Sequence, residues 1–412
     1  MGGHVGTARG QDGEGRRGAI PERREHGVHG TVPPIDRKDG GVSGQERLQG
    51  PRQIRRRSGN LLMHGRKATK TLDERGLPRV TTASGVTEDS NAIQLVGLSP
   101  MTLTTPLVLP AAPRESSIKL AHLSDPHLST LSDIGPLTLR DQRLLGWLSW
   151  RRKRRLVHQR TTLDAVVRAA RGEAPEHWCI TGDLTHIGHE HELSEALAWL
   201  QSLGDGDRVS VIPGNHDVYI PSCSEALLTR LWAPYLPDPE GPWPRLQLRG
   251  AVALITVNSG HAAPPAFATG GLGTAQREHL EALLRATGAA GYARVLMVHH
   301  APGPGMDKWR KRLVDARALA SLLAATGAEL ILHGHCHESL SRSLPGPQGP
   351  IPVLSAPSAS ATGERGCRTA GYNHLAVTVR ETEVHLAGFG FRLGDAPNWR
   401  LETRLKRPGG TP

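Results

Sequence analysis

The chain has 412 residues, of which 37% are hydrophobic and only 4% aromatic, so its core must be built from Leu, Val, Ile and Ala. Its formal charge of +11 is unevenly placed: residues 1–100 carry 17 Lys and Arg against 11 Asp and Glu, a net of +6, which leaves +5 for the rest. This argues against a uniformly cationic nucleic-acid binder, and no run of eighteen apolar residues offers a membrane span.

Residues 1–113 are rich in Gly, Arg, Ser, Thr and Pro and lack sustained periodicity, which predicts a disordered basic extension. The stretch 92–113 is broken by Pro100, Pro106, Pro110 and Pro113 and has no basic segment directly before it, which argues against a signal peptide. Because ordered patterning begins only at Ile118, Met101 is a candidate start of the native chain. Cys179, Cys223, Cys336 and Cys367 form no CxxC pair, and a reducing, cytoplasmic setting is the simpler inference.

From Ile118, short β-rich runs alternate with helical stretches. Strands are expected at 118–123, 177–181, 208–213, 251–257, 294–298 and 329–333. Helices are expected at 161–171, 190–203, 274–286 and 315–326, the first opened by a capping box of Thr161 and Asp164. The runs YNHLAVTVR and TEVHLAGF read as strands of a second sheet, and residues 395–412 as a loose tail. The expectation is an α/β catalytic domain over 114–394.

Five of these runs end in residue types that bind metal, and in α/β folds ligands bind at the carboxyl ends of strands. The clusters are Ser124-Asp125-Pro126-His127, Gly182-Asp183, Gly214-Asn215-His216-Asp217, His299-His300 and Gly334-His335-Cys336-His337. Each alone is common; five at successive strand ends are not. Carboxylate, amide and imidazole donors suit Mn²⁺, Fe or Zn²⁺, and the lack of a thiolate cluster argues against a structural zinc site.

The order DxH, GD, GNHD, H and GHxH resembles the signature of the calcineurin-like metallophosphoesterases over residues 117–390. TGDLT, PGNHDVY and LHGHCH are similar to the bacterial class that includes cyclic-nucleotide and glycerophosphodiester phosphodiesterases. The resemblance implies a two-sheet β-sandwich flanked by helices and a centre of two divalent metal ions. It further implies that Asp125, His127 and His337 hold one ion, Asn215, His299 and His335 the other, and that Asp183 bridges both. His299 or His300 could each serve by residue type; the resemblance favours the first. His216 would act on the leaving group or the phosphoryl charge. Two departures stand out: His186 replaces the usual Asp or Asn three residues after the bridging Asp, and Cys336 fills the middle of GHxH, where a packed thiol is expected.

Other histidines weigh less: His122 is read as a packed strand residue, and His189 and His191 as solvated. The stretch Leu144 to Trp150, followed by Arg151, Arg152, Lys153, Arg154 and Arg155, reads in three ways. It is a helix that packs Trp147 and Trp150 on the core, an interfacial helix that meets anionic lipid, or an arginine clamp on a charged substrate. The substrate expected is a small-molecule or lipid phosphate ester, with peripheral membrane contact tied to the lipid version. Nucleic acid and a non-catalytic scaffold rank below these.

Overall fold

The computed structural model describes residues 107–128, 131–139, 141–220 and 224–409, all within the unit Gly85–Pro412. Residues 1–106 of the disordered extension expected over 1–113 lie outside the described residues, as do the expected start at Met101 and Cys223. In chain order the elements are β1 (Ser116–Leu123), α1 (Arg143–Ser149), a π-helical turn (Trp150–Arg154), α2 (Arg155–Val157), α3 (Arg160–Gly172), β2 (His177–Ile180), α4 (Glu190–Leu203), β3 (Val209–Val211) and α5 (Ser224–Trp232). There follow β4 (Arg245–Arg249), β5 (Val252–Thr256), α6 (Gly273–Ala289), β6 (Ala293–Met297), α7 (Ala316–Thr326), β7 (Leu330–His333), β8 (Leu340–Leu344), β9 (Ile351–Ser355), β10 (Gly371–Val379), β11 (Glu383–Arg392) and β12 (Trp399–Lys406).

Two six-stranded sheets, ordered β12-β11-β10-β1-β2-β3 and β4-β5-β6-β7-β9-β8, pack face to face. Leu120 and Val377 of the first meet Leu254, Val295 and Leu332 of the second in the intervening core. Leu163 of α3, Leu200 of α4 and Trp232 of α5 cover the outer face of the first sheet, while Leu284 of α6 and Leu323 of α7 cover that of the second. Strands with both faces buried need uninterrupted apolar runs, and all five residues of β6 are buried. β1, β2 and β3 run parallel, as do β5, β6, β7 and β9, so within each sheet the loops after the carboxyl ends open at a common edge.

Four expectations about strands, boundaries and helix starts are corrected. β10 and β11 do not build the second sheet; β10 pairs antiparallel with β1, with Leu120 opposite Leu375, and extends the first. The loose tail expected at 395–412 is overturned over 399–406, where β12 pairs along β11 from Glu383 opposite Lys406 to Gly390 opposite Trp399. The domain also begins before residue 114: Arg407 donates to the carbonyls of Pro113 (2.7 Å) and Arg114 (2.8 Å), and Leu107 and Ala112 pack on the core under α6 and α7. Finally, α3 starts at Arg160 after Gln159, and Asp164 accepts from Arg160 Nε (3.1 Å) rather than serving in a capping box with Thr161.

The capping box is instead on α4, where Glu192 accepts from His189 N and the His189 ring accepts from His191 N. His189 is therefore a half-buried cap and not a solvated residue; His191 is exposed. No helix among the described residues is long and apolar enough to cross a membrane.

Candidate metal centre

The seven ligand-type residues leave five strands: Asp125 and His127 follow β1, Asp183 follows β2, Asn215 β3, His299 β6, and His335 and His337 β7. Five of them lie in the left-handed backbone region, with φ of 52° at Asp125, 41° at His127, 55° at Asp183, 67° at His335 and 55° at His337. Side-chain-bearing residues seldom adopt this conformation, and it concentrates where neighbouring structure forces it at functional sites. The forcing contacts are visible: His335 N donates to Asp125 Oδ2 (3.0 Å), His216 N to Asp183 Oδ1 (2.8 Å), and Ser358 Oγ to the Asp125 carbonyl (2.7 Å).

Close approach also explains two glycines of the motifs. A Cβ on Gly214 would stand 2.1 Å from Asp183 Oδ1, and one on Gly334 would stand 1.8 Å from Ser124 Oγ and 2.6 Å from Asp125 Oδ2.

Hydrogen bonds fix how the imidazoles present themselves. His127 Nδ1 lies 2.8 Å from the Thr185 carbonyl and His299 Nδ1 lies 2.6 Å from that of Thr181. A carbonyl only accepts, so each Nδ1 carries the proton and each Nε2 keeps its lone pair for a metal. Asp125, His127 and His337 place donor atoms within 4.8 Å of one another, as do His299, His300 and His335, and Asp125, Asp183 and His299 connect the two groups. Asp125 Oδ1, Asn215 Oδ1, His299 Nε2 and His335 Nε2 are buried without a hydrogen-bond partner.

Leaving such atoms unpaired costs about 1–3 kcal/mol each, so the cluster is unfavourable unless something else satisfies it. His337 Nε2 lies 2.9 Å from Asp125 Oδ1, and His299 Nε2 lies 3.4 Å from Asp183 Oδ2, in neither case with hydrogen-bond geometry. Two donors each roughly 2.0–2.2 Å from one ion lie about 3 to 4 Å apart, so these spacings fit shared cations.

The electrostatics agree. Burial would raise the pKa of Asp125 and Asp183, but the surrounding imidazoles outweigh it and hold both below the ordinary carboxylate range, Asp183 well below. Burial lowers His299, yet Asp183 and Asp125 overcome it and bring it up to about 9, so in the absence of a cation its Nε2 also holds a proton, which a bound metal ion would displace. His300 remains an alternative donor: its Nε2 is buried and unpartnered while its Nδ1 pairs with Ser259 Oγ (2.8 Å).

His216 is oriented by a main-chain group. Its Nδ1 donates to the His186 carbonyl (2.6 Å), so the substitution at His186 does not remove the orienting contact. The His186 ring itself stacks on His127, with centroids 5.1 Å apart. Arg154 Nη1 donates to His216 Nε2 (3.0 Å), and burial together with Arg154 pushes the imidazole down to about 4, so His216 is neutral near pH 7.

Arg154 is the member of the basic run that contacts His216; Arg151, Arg152 and Arg155 are exposed, and Arg155 lines a smaller pocket beside His127 and His158. Trp147 and Trp150 are each 7% exposed and pack with Leu131, Ile134 and Ile187. The stretch is therefore a core-packed wall of the site, and its tryptophans are not available to insert into lipid. Cys336 faces away from the ligands, with Sγ 2.9 Å from Ser355 Oγ. His122 is a packed strand residue between Thr181 and Asn373.

Three roles escaped the sequence. Asp217, within the GNHD motif, accepts from Leu184 N, Thr185 N, Thr185 Oγ1 and Gly214 N and so holds two ligand loops together. His158 lies with its ring 4.5 Å from that of His127, and Asp307 has its carboxylate 3.8 Å from His335 Nε2. Neither sits in a motif, and both arrive through tertiary folding alone. A cavity of about 600 Å³ adjoins the centre, lined by Arg154, Asn215, His216, Phe267, Lys308 and Trp309 among others.

Solved structures with a similar fold include a dimetal phosphatase from Danio rerio, at 14% identity and a TM-score of 0.45 over 68% of this chain and 98% of that one. A purple acid phosphatase from yellow lupin (Lupinus luteus) aligns at 12% identity and a TM-score of 0.42, over 68% of this chain and 53% of its own. The phosphoesterase YfcE from E. coli aligns at 12% identity and a TM-score of 0.30, over 69% and 98%. No curated protein matches the sequence. The family model of the calcineurin-like phosphoesterases matches residues 118–339, more than half of the chain and a span that contains all seven expected ligands, and the chain belongs to that family.

Proposed function

We propose that the protein is a metal-dependent phosphoesterase with a dinuclear centre, acting on a small organic phosphodiester or related phosphate ester. The observation that carries this is the convergence of buried, unpartnered donor atoms of Asp125, Asn215, His299 and His335 from four separate loops. Asp125, His127 and His337 would hold one divalent ion, Asn215, His299 and His335 the second, and Asp183, linked to both groups through Asp125 and His299, would serve both. When bound, such a pair of ions lowers the pKa of water and neutralises phosphate charge.

The chain's own residues supply the rest. Arg154 presents its guanidinium beside His216 at the cavity floor, where it can turn to a phosphate oxygen. While Arg154 donates to it, His216 Nε2 carries a lone pair and no proton; that move would open Nε2 to take up a proton from water and pass it to the departing oxygen, with the ring held by the His186 carbonyl. The cavity is within the usual range for a small-molecule site, and Lys308 and Trp309 offer a cation and an aromatic face to the organic part of the ester.

A lipid-linked phosphate ester is the second reading, favoured by one observation. Leu145, Phe267 and Trp309 are exposed by 53%, 37% and 59%, and all three line the same cavity. A peripheral membrane contact would use this rim instead of Trp147 and Trp150.

The test is metal content by plasma emission together with a panel of bis-para-nitrophenyl phosphate, cyclic nucleotides, a nucleoside-diphosphate lipid and single-stranded DNA. Metal-stimulated turnover of one class supports the proposal and names the substrate. A chain that takes up no Mn²⁺, Zn²⁺ or Fe²⁺ and turns over none of the panel overturns it.

A further inference from the structure

We infer that Asp307 is an eighth residue of the metal centre, a carboxylate ligand on the His335 side, and that it ties the cavity wall at 308–311 to metal occupancy. The inference rests on the metal-centre reading above and deepens it. Three carboxylate–imidazole pairs of one kind stand in the site. Asp125 Oδ1 and His337 Nε2 are 2.9 Å apart, Asp183 Oδ2 and His299 Nε2 3.4 Å, and Asp307 Oδ2 and His335 Nε2 3.8 Å. None makes a hydrogen bond, and in the third pair both atoms are buried and without any hydrogen-bond partner.

The first two pairs belong to the expected ligand set, and each has a residue in a group of three donors within 4.8 Å of one another; the third has the same residue types, shares His335 with such a group, and brings in Asp307 from outside all of them. Its spacing is too long for a hydrogen bond and within the roughly 3 to 4 Å of two donors on one ion.

Burial makes the coincidence informative. The Asp307 side chain is 8% exposed and that of His335 3% exposed. A carboxylate removed from water without compensation is costly, and such groups are found paired or bound to metal. Asp307 Oδ1 is compensated by the Lys308 N–H (2.7 Å), a bond inside its own loop. That bond fixes the rotation of the carboxylate and leaves Oδ2 turned towards His335. Among the described residues, His335 is the one cationic or imidazole group recorded within ion-pair distance of it.

The loop that carries Asp307 continues into the cavity wall. Lys308, Trp309, Arg310 and Lys311 line the cavity, and Arg310 spans Trp309 and Phe267 with its guanidinium 5.1 and 5.9 Å from their ring centroids. The Arg310 and Arg312 carbonyls accept from Ala268 N (2.9 Å) and Gly270 N (3.2 Å), which ties the two sides of this wall to each other. A cation bound through Asp307 would thus anchor the surface that meets the organic part of the substrate.

The test compares the full-length wild type with Asp307→Asn and Asp307→Ala. Asn retains an oxygen for the Lys308 N–H and so preserves the loop while removing the charge; unchanged near-ultraviolet circular dichroism of the metal-free proteins verifies the fold. Cobalt titration followed by its visible absorption, with metal content after dialysis against a chelator, reads the sites directly. The expected result is two ions in the wild type. In both variants one ion is retained and the other weakened roughly 10- to 100-fold, with an altered cobalt spectrum.

Trypsin provides a second readout, because Lys308, Arg310, Lys311 and Arg312 are exposed. Metal should protect this run in the wild type and fail to protect it in Asp307→Asn. Two ions bound with wild-type affinity and spectrum in both variants would overturn the role of Asp307 while leaving the dinuclear proposal standing. A wild type that takes up no metal would overturn the proposed function itself.

Discussion

Arg154 and His216 meet at the floor of the cavity, with the guanidinium Nη1 3.0 Å from the imidazole Nε2, although the two residues enter from a π-helical turn and from the loop after β3. Arg154 also lies 3.1 Å from Nδ1, but Nδ1 already donates to the His186 carbonyl and a guanidinium cannot accept, so the contact with Nε2 is the hydrogen bond. This separates one arginine from its neighbours.

Arg154→Gln should lower kcat/KM roughly 10- to 100-fold, as expected for loss of a charge-assisted contact of about 1.5–3 kcal/mol, while metal content stays at the wild-type level. Arg151→Gln, Arg152→Gln and Arg155→Gln combined should change it less than about threefold, since exposed cations contribute little. Equal losses in the two proteins would show that the run acts by bulk charge.

Asp183→Asn should release both ions together, because its carboxylate lies in the group of donors that connects the other two. Turnover should fall to background. Chelation of the wild type should lower Tm by roughly 5 to 10 °C, from the loss of about 2.7 kcal/mol of binding free energy per ion at a hundredfold excess over Kd. Calorimetry on chelated, reloaded and Asp183→Asn protein checks this. An Asp183→Asn protein that keeps two ions and a metal-dependent Tm would show that the carboxylate does not serve both.

The strands that deliver the ligands were legible because a parallel strand buried on both faces, such as β6 or β7, must be written as a continuous apolar run. The ligand types were legible because DxH, GD, GNHD and GHxH are local in sequence. β12 is equally legible in principle, since WRLETRLK alternates uncharged with charged residues and its burial alternates with them, although the expectation there is a tail. The partner of β10 was not legible, because pairing of His122 with Asn373 is set by tertiary contacts that leave no local mark. Trp147 and Trp150 show a deeper ambiguity. An apolar helical stripe is the same whether it faces lipid or protein, and the pocket of Leu131, Ile134 and Ile187 that receives it comes from elsewhere in the chain.

Acid sensitivity should trace in part to a histidine remote from the ligands. His177 is fully buried on β2, with Nδ1 3.1 Å from the Asp207 carbonyl and Nε2 2.8 Å from Ser210 Oγ, and burial lowers its pKa from 6.5 to about 3. Above pH 6.5 it is neutral in both folded and unfolded chains and contributes no pH dependence. Between about 6.5 and 3 the unfolded chain takes up a proton that the folded chain refuses, so stability falls as pH drops. The slope from this one group approaches about 1.4 kcal/mol per pH unit. In denaturant titrations from pH 7.5 to 4, His177→Gln should flatten the acid limb by up to that amount. Superimposable acid limbs would mean that His177 protonates in the fold without cost.

Two helical glycines should respond oppositely to the same substitution. In a helix with open space, Gly→Ala stabilises by roughly 0.5–1 kcal/mol because alanine has less backbone freedom to lose. Gly172, the last residue of α3, has nothing within 4 Å of a built Cβ, so Gly172→Ala should be neutral or stabilising. On α1, a Cβ at Gly146 would stand 2.5 Å from Ile187 Cγ2 and 3.1 Å from Tyr219 Oη. Ile187 is β-branched and fully buried, so it cannot turn aside, and overpacking of this kind costs about 1–3 kcal/mol. The net effect of Gly146→Ala should be a loss of about 1–2 kcal/mol. Its consequence reaches the site, because Tyr219 stacks on His216 with centroids 5.8 Å apart and planes 16° from parallel, and Gln142 at the start of α1 donates to the Tyr219 carbonyl. Displacing α1 therefore moves the ring behind His216 and, through the π-helical turn, Arg154. Gly146→Ala should lower kcat/KM while metal content and the Asp125, Asp183 and His299 side of the site stay unchanged. A Gly146→Ala protein as stable and as active as Gly172→Ala would show that α1 is not pressed against Ile187 and Tyr219 in solution.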